Sequence, residues 1–589
     1  MKSLQYLNKY FLKYKWRLLL GIIFTVVSNY FGVQMPIYFK NAIDQFQATI
    51  SIAEPNDFLW LAFKLGGFYM LLSLTKGFFL FLMRQTIIVM SRYIEFDLKN
   101  EIYTHYQTLD QGFFKRNSTG DLMNRISEDV GLVRMYLGPG IMYIINLIIA
   151  FALIVTQMIR ISPSLTLCVL IPLPIMSILI YRVSSRMNAM SALVQKEQSL
   201  LSTLAQETFS GIRIIKAYNR EKETEDKLGQ SAENYKKQSM RLVLVNAFFM
   251  PTIMFLIGIS ILIAVYYGGI LSFTGPKAER ISIGSIVAFI MFVNSLTWPF
   301  ASLGWVSSII QRASASQKRI NEFLLTKPTT VNTETGDFNF QGSIAFKHVS
   351  FQYPVTNITA VSDVSFQVNK GETLAIVGHT GSGKSTISSL LMRQYDPQSG
   401  ELFVDGKSLT SLNLHAFRNQ TGIVPQDVFL FSDTIRENLQ FGVNDRTSSE
   451  MELIAACKMS HVYHNIQEFP DGFDTLLGER GVNLSGGQKQ RISIARALLK
   501  NPTLLILDDC LSAVDTETEE IILRNLEKGK EERTTIIISH RISTIRNATK
   551  IIVINQGQVI ESGNHESLMS QKGTYFDMHE QQLRQESKD

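Results

Sequence analysis

The sequence predicts an α-helical transmembrane part of six spans followed by an α/β domain on a largely parallel sheet. Hydrophobic residues make up 46% of the chain but concentrate before about residue 310, in segments near or above the ~20 residues a bilayer demands. After about residue 343, short apolar runs alternate with helical patterns, as βα units do. At 589 residues the chain is also too long for one core, so two bodies facing different solvents are expected.

The apolar segments are 18–39, 58–83, 137–159, 165–183, 242–271 and 281–310. No small-residue cleavage site follows the N-terminal MKSLQYLNKYFLKYKWR, so the first span is expected to stay in the mature protein. Lys2, Lys9, Lys13, Lys15 and Arg17 precede that span, and the long connections after spans two and four are rich in Lys and Arg. By contrast, DQFQATISIAEPND between spans one and two has no basic residue, and QMIRISPS between three and four has only Arg160. The bias places both termini and the α/β domain on the cytosolic side of a cell (inner or plasma) membrane. That placement accounts for the net charge of +6 without nucleic acid. Cys168, Cys457 and Cys510 are too few and too scattered for a disulfide framework. Lys64 and Lys76 fall toward the ends of the second segment, where snorkelling to the interface is expected. The spans carry Asn246, Asn294 and Trp298 but no evident mid-bilayer acid, which argues against a dedicated cation site.

The connections after spans two and four keep a helical rhythm of mixed charge, as in ALVQKEQSLLSTLAQETFSGIRIIKAYNREKETEDKL. They read as helices continuing beyond the bilayer. The expected division is a transmembrane domain over 1–322, a Pro-, Thr- and Gly-bearing linker over 323–342, and the α/β domain over 343–589. SIAFKHVSFQY, AVSDVSFQV and ETLAIVG read as strands, as do TLLILDD and TTIIISH. His461 and His464 lack further ligand residues nearby and read as a solvated helical surface.

GHTGSGKST, residues 378–386, follows the strand TLAIV and precedes a helical pattern, the context a P-loop requires. Backbone N–H groups of Gly378, His379, Thr380, Gly381, Ser382, Gly383 and Thr386 can converge on phosphate oxygens. Lys384 reaches the outer phosphates, and the Ser385 hydroxyl can ligate Mg²⁺. Asp508, closing the buried run LLILD, is the matching carboxylate for that ion. LSGGQKQRISIARALLK opens a second helix on glycines, a further anion site that another subunit's nucleotide could use.

Together the P-loop, LSGGQ, LLILDD, SAVD and IIISH, in this order, resemble an ABC-type ATPase. The preceding spans, with FFKRNSTGDLMNRISEDV and ETFSGIRIIKAYNRE, resemble the transmembrane domain of an ABC exporter half-transporter. The resemblance implies an α-helical six-span domain followed by an α/β P-loop ABC ATPase domain, with ATP and Mg²⁺ as cofactors. It implies ATP-driven export of an amphipathic drug, lipid or peptide by alternating access. Tyr353 resembles the aromatic that stacks on adenine. Gln426 resembles the glutamine that meets Mg²⁺ or the attacking water. Ser485, Gly486, Gly487 and Gln488 match the signature that closes on the partner's ATP, Asp515 the loop at the dimer interface, and His540 the switch histidine at the γ-phosphate.

The family usually carries glutamate after the Mg²⁺ aspartate, as base or polariser of water; here the residue is Asp509. Aspartate lacks one methylene, and misplacement by ~1 Å can cost on the order of 10²-fold in rate. The resemblance therefore favours pairing with a different, Glu-bearing half-transporter over a homodimer. An ATP-gated channel or a regulatory subunit with weak hydrolysis would share these parts. A nucleic-acid ATPase is opposed by the six spans.

Overall fold

A computed structural model describes residues 2–49, 55–273, 280–332, 334–444, 446–478, 481–528 and 533–586. The chain divides into two units: Met1–Gln107 with Thr119–Thr326, and Thr108–Ser118 with Lys327–Asp589.

The long helices are α1 (Lys15–Thr49), α2 (Pro55–Thr108), α4 (Ile141–Ile161), α5 (Pro172–Ser210), α6 (Glu221–Phe273) and α7 (Ile283–Leu324), with a short α3 (Gln111–Arg116) between α2 and α4. Among the described residues, six stretches are long and apolar enough to cross a membrane, up to the 53 residues of Glu221–Phe273. At ~1.5 Å per residue that helix is about 80 Å long against ~30 Å of hydrocarbon. The helices thus run on beyond any bilayer, as the rhythm of the connections predicts. Within this unit α5 packs along α6, and α7 along α1, α4 and α6. Phe289, Phe292, Met176 and Ala264 are buried between them. Large apolar side chains such as Phe63, Phe78, Phe255 and Tyr266 remain exposed outside, the pattern of helices whose solvent is lipid. A π turn at Arg125–Asp129 presents buried Asp129 to α7. Arg319 grips both its carboxylate oxygens there, Nε at 2.9 Å.

Helix α2 does not stop at residue 83, so Lys76 is not at a helix end. Its ammonium lies over Gly32 of α1, where a Cβ would sit 3.3 Å from Nζ.

In the second unit the strands are β1 (Ile344–Gln352), β2 (Thr359–Val368), β3 (Thr373–Val377), β4 (Ser399–Val404), β5 (Lys407–Ser408), β6 (Thr421–Val424), β7 (Leu504–Asp508), β8 (Thr534–Ile538), β9 (Lys550–Asn555) and β10 (Gln558–Gly563). Their order is β2-β1-β4-β5 in an antiparallel sheet and β10-β9-β3-β8-β7-β6 in a mostly parallel one. Alternation sorts the parallel strands between two cores. Ala375, Val377, Leu505, Leu507 and Val553 face one; Leu374, Ile376, Leu504, Ile506 and Ile552 face the other. Both faces are therefore covered, which is why these strands read as unbroken apolar runs. Of the segment 323–342, expected as a linker, residues to Leu324 continue α7, and Phe340 is buried against Phe417. The cysteines are free; burial pushes the thiols of Cys457, to about 12, and Cys510 upward.

Candidate active site

Strand β3 delivers the glycine-rich turn and α8 (Lys384–Leu391) leaves it, while β7 ends alongside with its carboxylates. Gly383, the residue before α8, has φ +103°, and a Cβ there would lie 2.0 Å from the Ala360 carbonyl oxygen. Only glycine fits both demands. Lys384 Nζ donates to the Gly378 and His379 carbonyl oxygens, each at 2.8 Å. Burial lowers its pKa, against the pull of Asp509 and Asp508.

Asp508 is gripped from α8. Ser385 Oγ donates to Oδ1 at 2.9 Å and Ser388 Oγ to Oδ2 at 2.8 Å. Burial raises this carboxyl, with Asp509 adding to it and the two serines opposing it. Ser388 is not singled out by the sequence motifs, although its place three residues beyond Ser385 on a helix puts both hydroxyls on one face.

Asp509 sits in left-handed backbone, φ +48°, its N–H donating to the Ile538 carbonyl at 2.8 Å. That turn aims the carboxylate between two partners: His540 Nδ1 at 2.8 Å from Oδ1, and Gln426 Nε2 at 3.3 Å from Oδ2. Three segments distant in sequence thus meet at one acid. A cavity of about 310 Å³ is lined by Tyr353, Thr380, Gly381, Gly383, Lys384, Ser385, Thr386, Gln426, Asp508, Asp509 and His540. Tyr353 closes one side, its hydroxyl 3.1 Å from Thr386 Oγ1. Lys115, on α3, stands 5.3 Å from the Tyr353 ring centroid, a cation–π contact. Nothing in the local sequence of Lys115 announces it, because its neighbour lies more than two hundred residues away.

Ser485 to Gln488 do not line this cavity. They begin α9 (Gly486–Leu499) with a capping box: Ser485 Oγ accepts from the Gln488 N–H at 3.3 Å and Gln488 Oε1 from the Ser485 N–H at 3.0 Å. Gln490 Oε1 accepts from the Ala513 N–H at 3.1 Å, tying the helix to the SAVD loop. Asp515 caps α10 (Thr516–Glu527) by accepting from the Thr518 N–H at 2.9 Å. The predicted residues therefore fall into two groups, one at the cavity, where Gly378, His379 and Ser382 belong to the P-loop without lining the space, and one around an outward-facing helix start.

Two family models match the chain: the ABC transporter transmembrane region over residues 18–300 and ABC transporter over 361–512. The probable multidrug resistance ABC transporter ATP-binding/permease protein YheI of Bacillus subtilis (strain 168) is 34% identical over 98% of this chain and 97% of its own length. The chain belongs to the ABC transporter family. Another relative of this ABC transporter, the ATP-dependent lipid A-core flippase of Syntrophus aciditrophicus (strain SB), is 32% identical over 83% of this chain and 80% of its own. A bacterial Atm1-family ABC exporter solved with ATP bound matches with TM-score 0.78 and 26% identity, over 96% of this chain and 99% of that one. The ABC transporter described here is accordingly a multi-pass membrane half-transporter that works as a dimer and couples ATP hydrolysis to export.

Proposed function

We propose that this ABC transporter exports an amphipathic or hydrophobic molecule by alternating access, as the Asp-bearing half of a heterodimer with a Glu-bearing relative. The observation that carries it is the carboxylate of Asp509, one methylene short of the usual glutamate and already engaged by both His540 and Gln426. A reactive water must compete with those partners and bridge the missing length. Hydrolysis at this chain's own cavity is then slow, while its intact Ser485–Gln488 turn serves the partner's ATP. In the cavity, Tyr353 stacks on adenine, the P-loop amides and Lys384 hold the phosphates, and His540 stands at the γ-phosphate. ATP sandwiched between two such domains draws them together. Loss of the γ-phosphate contacts releases them. The ATPase domain and both termini lie in the cytosol.

The donor set suits Mg²⁺. Ser385 Oγ, the Asp508 carboxylate and the Gln426 amide oxygen are all hard oxygens, and the first two already stand 2.9 Å apart. Bound there, the ion neutralises phosphate charge. The names of the relatives, multidrug and lipid exporters, support a hydrophobic or amphipathic cargo.

ATPase activity of the purified chain alone tests the reading. Low turnover is expected, rising by roughly 10- to 100-fold with Asp509→Glu. Vigorous turnover of the lone chain that Asp509→Asn abolishes would establish a self-sufficient homodimer instead.

A further inference from the structure

The first unit holds a cavity of about 330 Å³ between α1, α2, α4 and α7. Two cations of α2, Lys76 and Arg84, line it. Eight residues apart, they stand ~12 Å apart along one face of the helix, with Leu80 and Met83 between them. No aspartate or glutamate lines the cavity, and among the described residues no carboxylate pairs with either cation. The amides add to this polarity. Asn29 Nδ2 donates to Asn146 Oδ1 at 2.8 Å and to the Thr25 carbonyl at 2.9 Å. The Asn146 oxygen accepts one of these bonds, and its own N–H groups are left to donate. Trp298 also lines the cavity, and its indole can only donate. The opposite wall is apolar, with Val33, Ile154 and Phe292.

A cation inside a membrane-spanning segment is costly and ordinarily finds a counter-charge on a neighbouring helix. Here Lys76 lies within the apolar segment 58–83 and Arg84 directly at its end, and the described residues offer neither a carboxylate partner. We propose that the counter-charge is the cargo: the cavity binds the phosphate-type anionic headgroup of an amphiphile, with its chain against the apolar wall. Lys76 and Arg84 supply charge-assisted hydrogen bonds and Asn146 a neutral one. Gly32 matters because its missing side chain leaves room for the Lys76 ammonium. This narrows the cargo of the export reading and rests on it.

The full-length chain in phosphatidylcholine nanodiscs, without nucleotide, is titrated with dodecyl phosphate, dodecyltrimethylammonium and inorganic phosphate while tryptophan emission is followed. Dodecyl phosphate is expected to bind saturably and at least ~10-fold more tightly than the cationic amphiphile, with inorganic phosphate giving no comparable signal. The Lys76→Gln, Arg84→Gln double variant is expected to weaken dodecyl phosphate by at least ~10-fold, with fluorescent ATP-analogue binding showing that it is folded. The Lys76→Glu, Arg84→Glu pair should invert the preference, a gain that misfolding cannot produce. Equal binding of both amphiphiles, an unaffected double variant, or inorganic phosphate binding as tightly as dodecyl phosphate each overturns the proposal. Export itself is read separately, by ATP-driven movement of labelled anionic lipid in the wild type and in Lys384→Ala. Movement that Lys384→Ala leaves undiminished defeats the export reading while leaving headgroup binding intact.

Discussion

At Gly383 two separate demands meet, one on backbone angle and one on space. A φ of +103° strains any side-chain-bearing residue, and the Ala360 oxygen occupies the place a Cβ would take. Gly381 shares the first demand, φ +81°, but a Cβ added there would meet no atom within 4 Å. Comparing Gly383→Ala with Gly381→Ala therefore separates strain from collision. Each substitution carries ~1 to 3 kcal/mol of backbone strain. Only the first must also displace β2 from the P-loop, so its loss of ATP-analogue affinity is expected to exceed that of Gly381→Ala by at least ~10-fold. Equal losses in a fluorescence titration would mean that the contact with Ala360 is unimportant. The same reasoning explains what sequence can disclose. The P-loop, Asp508 and Asp509 are legible because their spacing is dictated locally by strand, turn and helix. The bridging of Asp509 to Gln426 and His540 is not, since only the sheet order β8-β7-β6 brings those three segments together.

Helix α3 is six residues long, too short to persist alone, so its anchoring has to come from capping and from neighbours. Asp110 Oδ1 accepts from the Phe113 N–H at 3.0 Å, and Oδ2 accepts from Thr329 N–H at 2.7 Å and Thr329 Oγ1 at 2.6 Å. Burial pushes the Asp110 carboxyl up, but the Thr329 and Phe113 hydrogen bonds outweigh it and hold it below the ordinary range. A carboxyl depressed by folding stabilises the native state above its unfolded pKa of ~3.9 and loses that contribution as pH falls through the folded value. Asp110→Ala is expected to cost about 1 kcal/mol at pH 7, since the site is partly open to solvent. The gap between variant and wild type in thermal unfolding should narrow below about pH 4. A gap that stays constant through that range would assign Asp110 a role other than its charge. The helical rhythm around α3 and the six spans are legible from residue order alone, because periodicity survives without a partner. The pairing of Asp110 with Thr329 and the seating of Lys76 against Gly32 are not, because the chain's return path decides who meets whom.

For the whole molecule, the two groups of motif residues imply two kinds of site. Tyr353, Lys384, Asp508 and Asp509 surround this chain's own cavity, whereas Ser485–Gln488 begin a helix that does not line it. In the proposed heterodimer the first group builds the slow site and the second completes the site that carries the partner's glutamate. Their substitutions must then be unequal. Ser485→Arg places a bulky cation on the helix start that meets the partner's ATP and is expected to reduce hydrolysis by the dimer by about 100-fold or more, in the range known for removing a phosphate-stabilising group. Lys384→Ala empties the slow site and is expected to reduce hydrolysis by ~10-fold or less, while still lowering transport, because closure of both sandwiches drives the spans. The measurement is ATP hydrolysis by the copurified dimer carrying each substitution in this chain alone. If both substitutions abolish hydrolysis alike, the two sites are equivalent, and the division into a slow and a fast site is wrong.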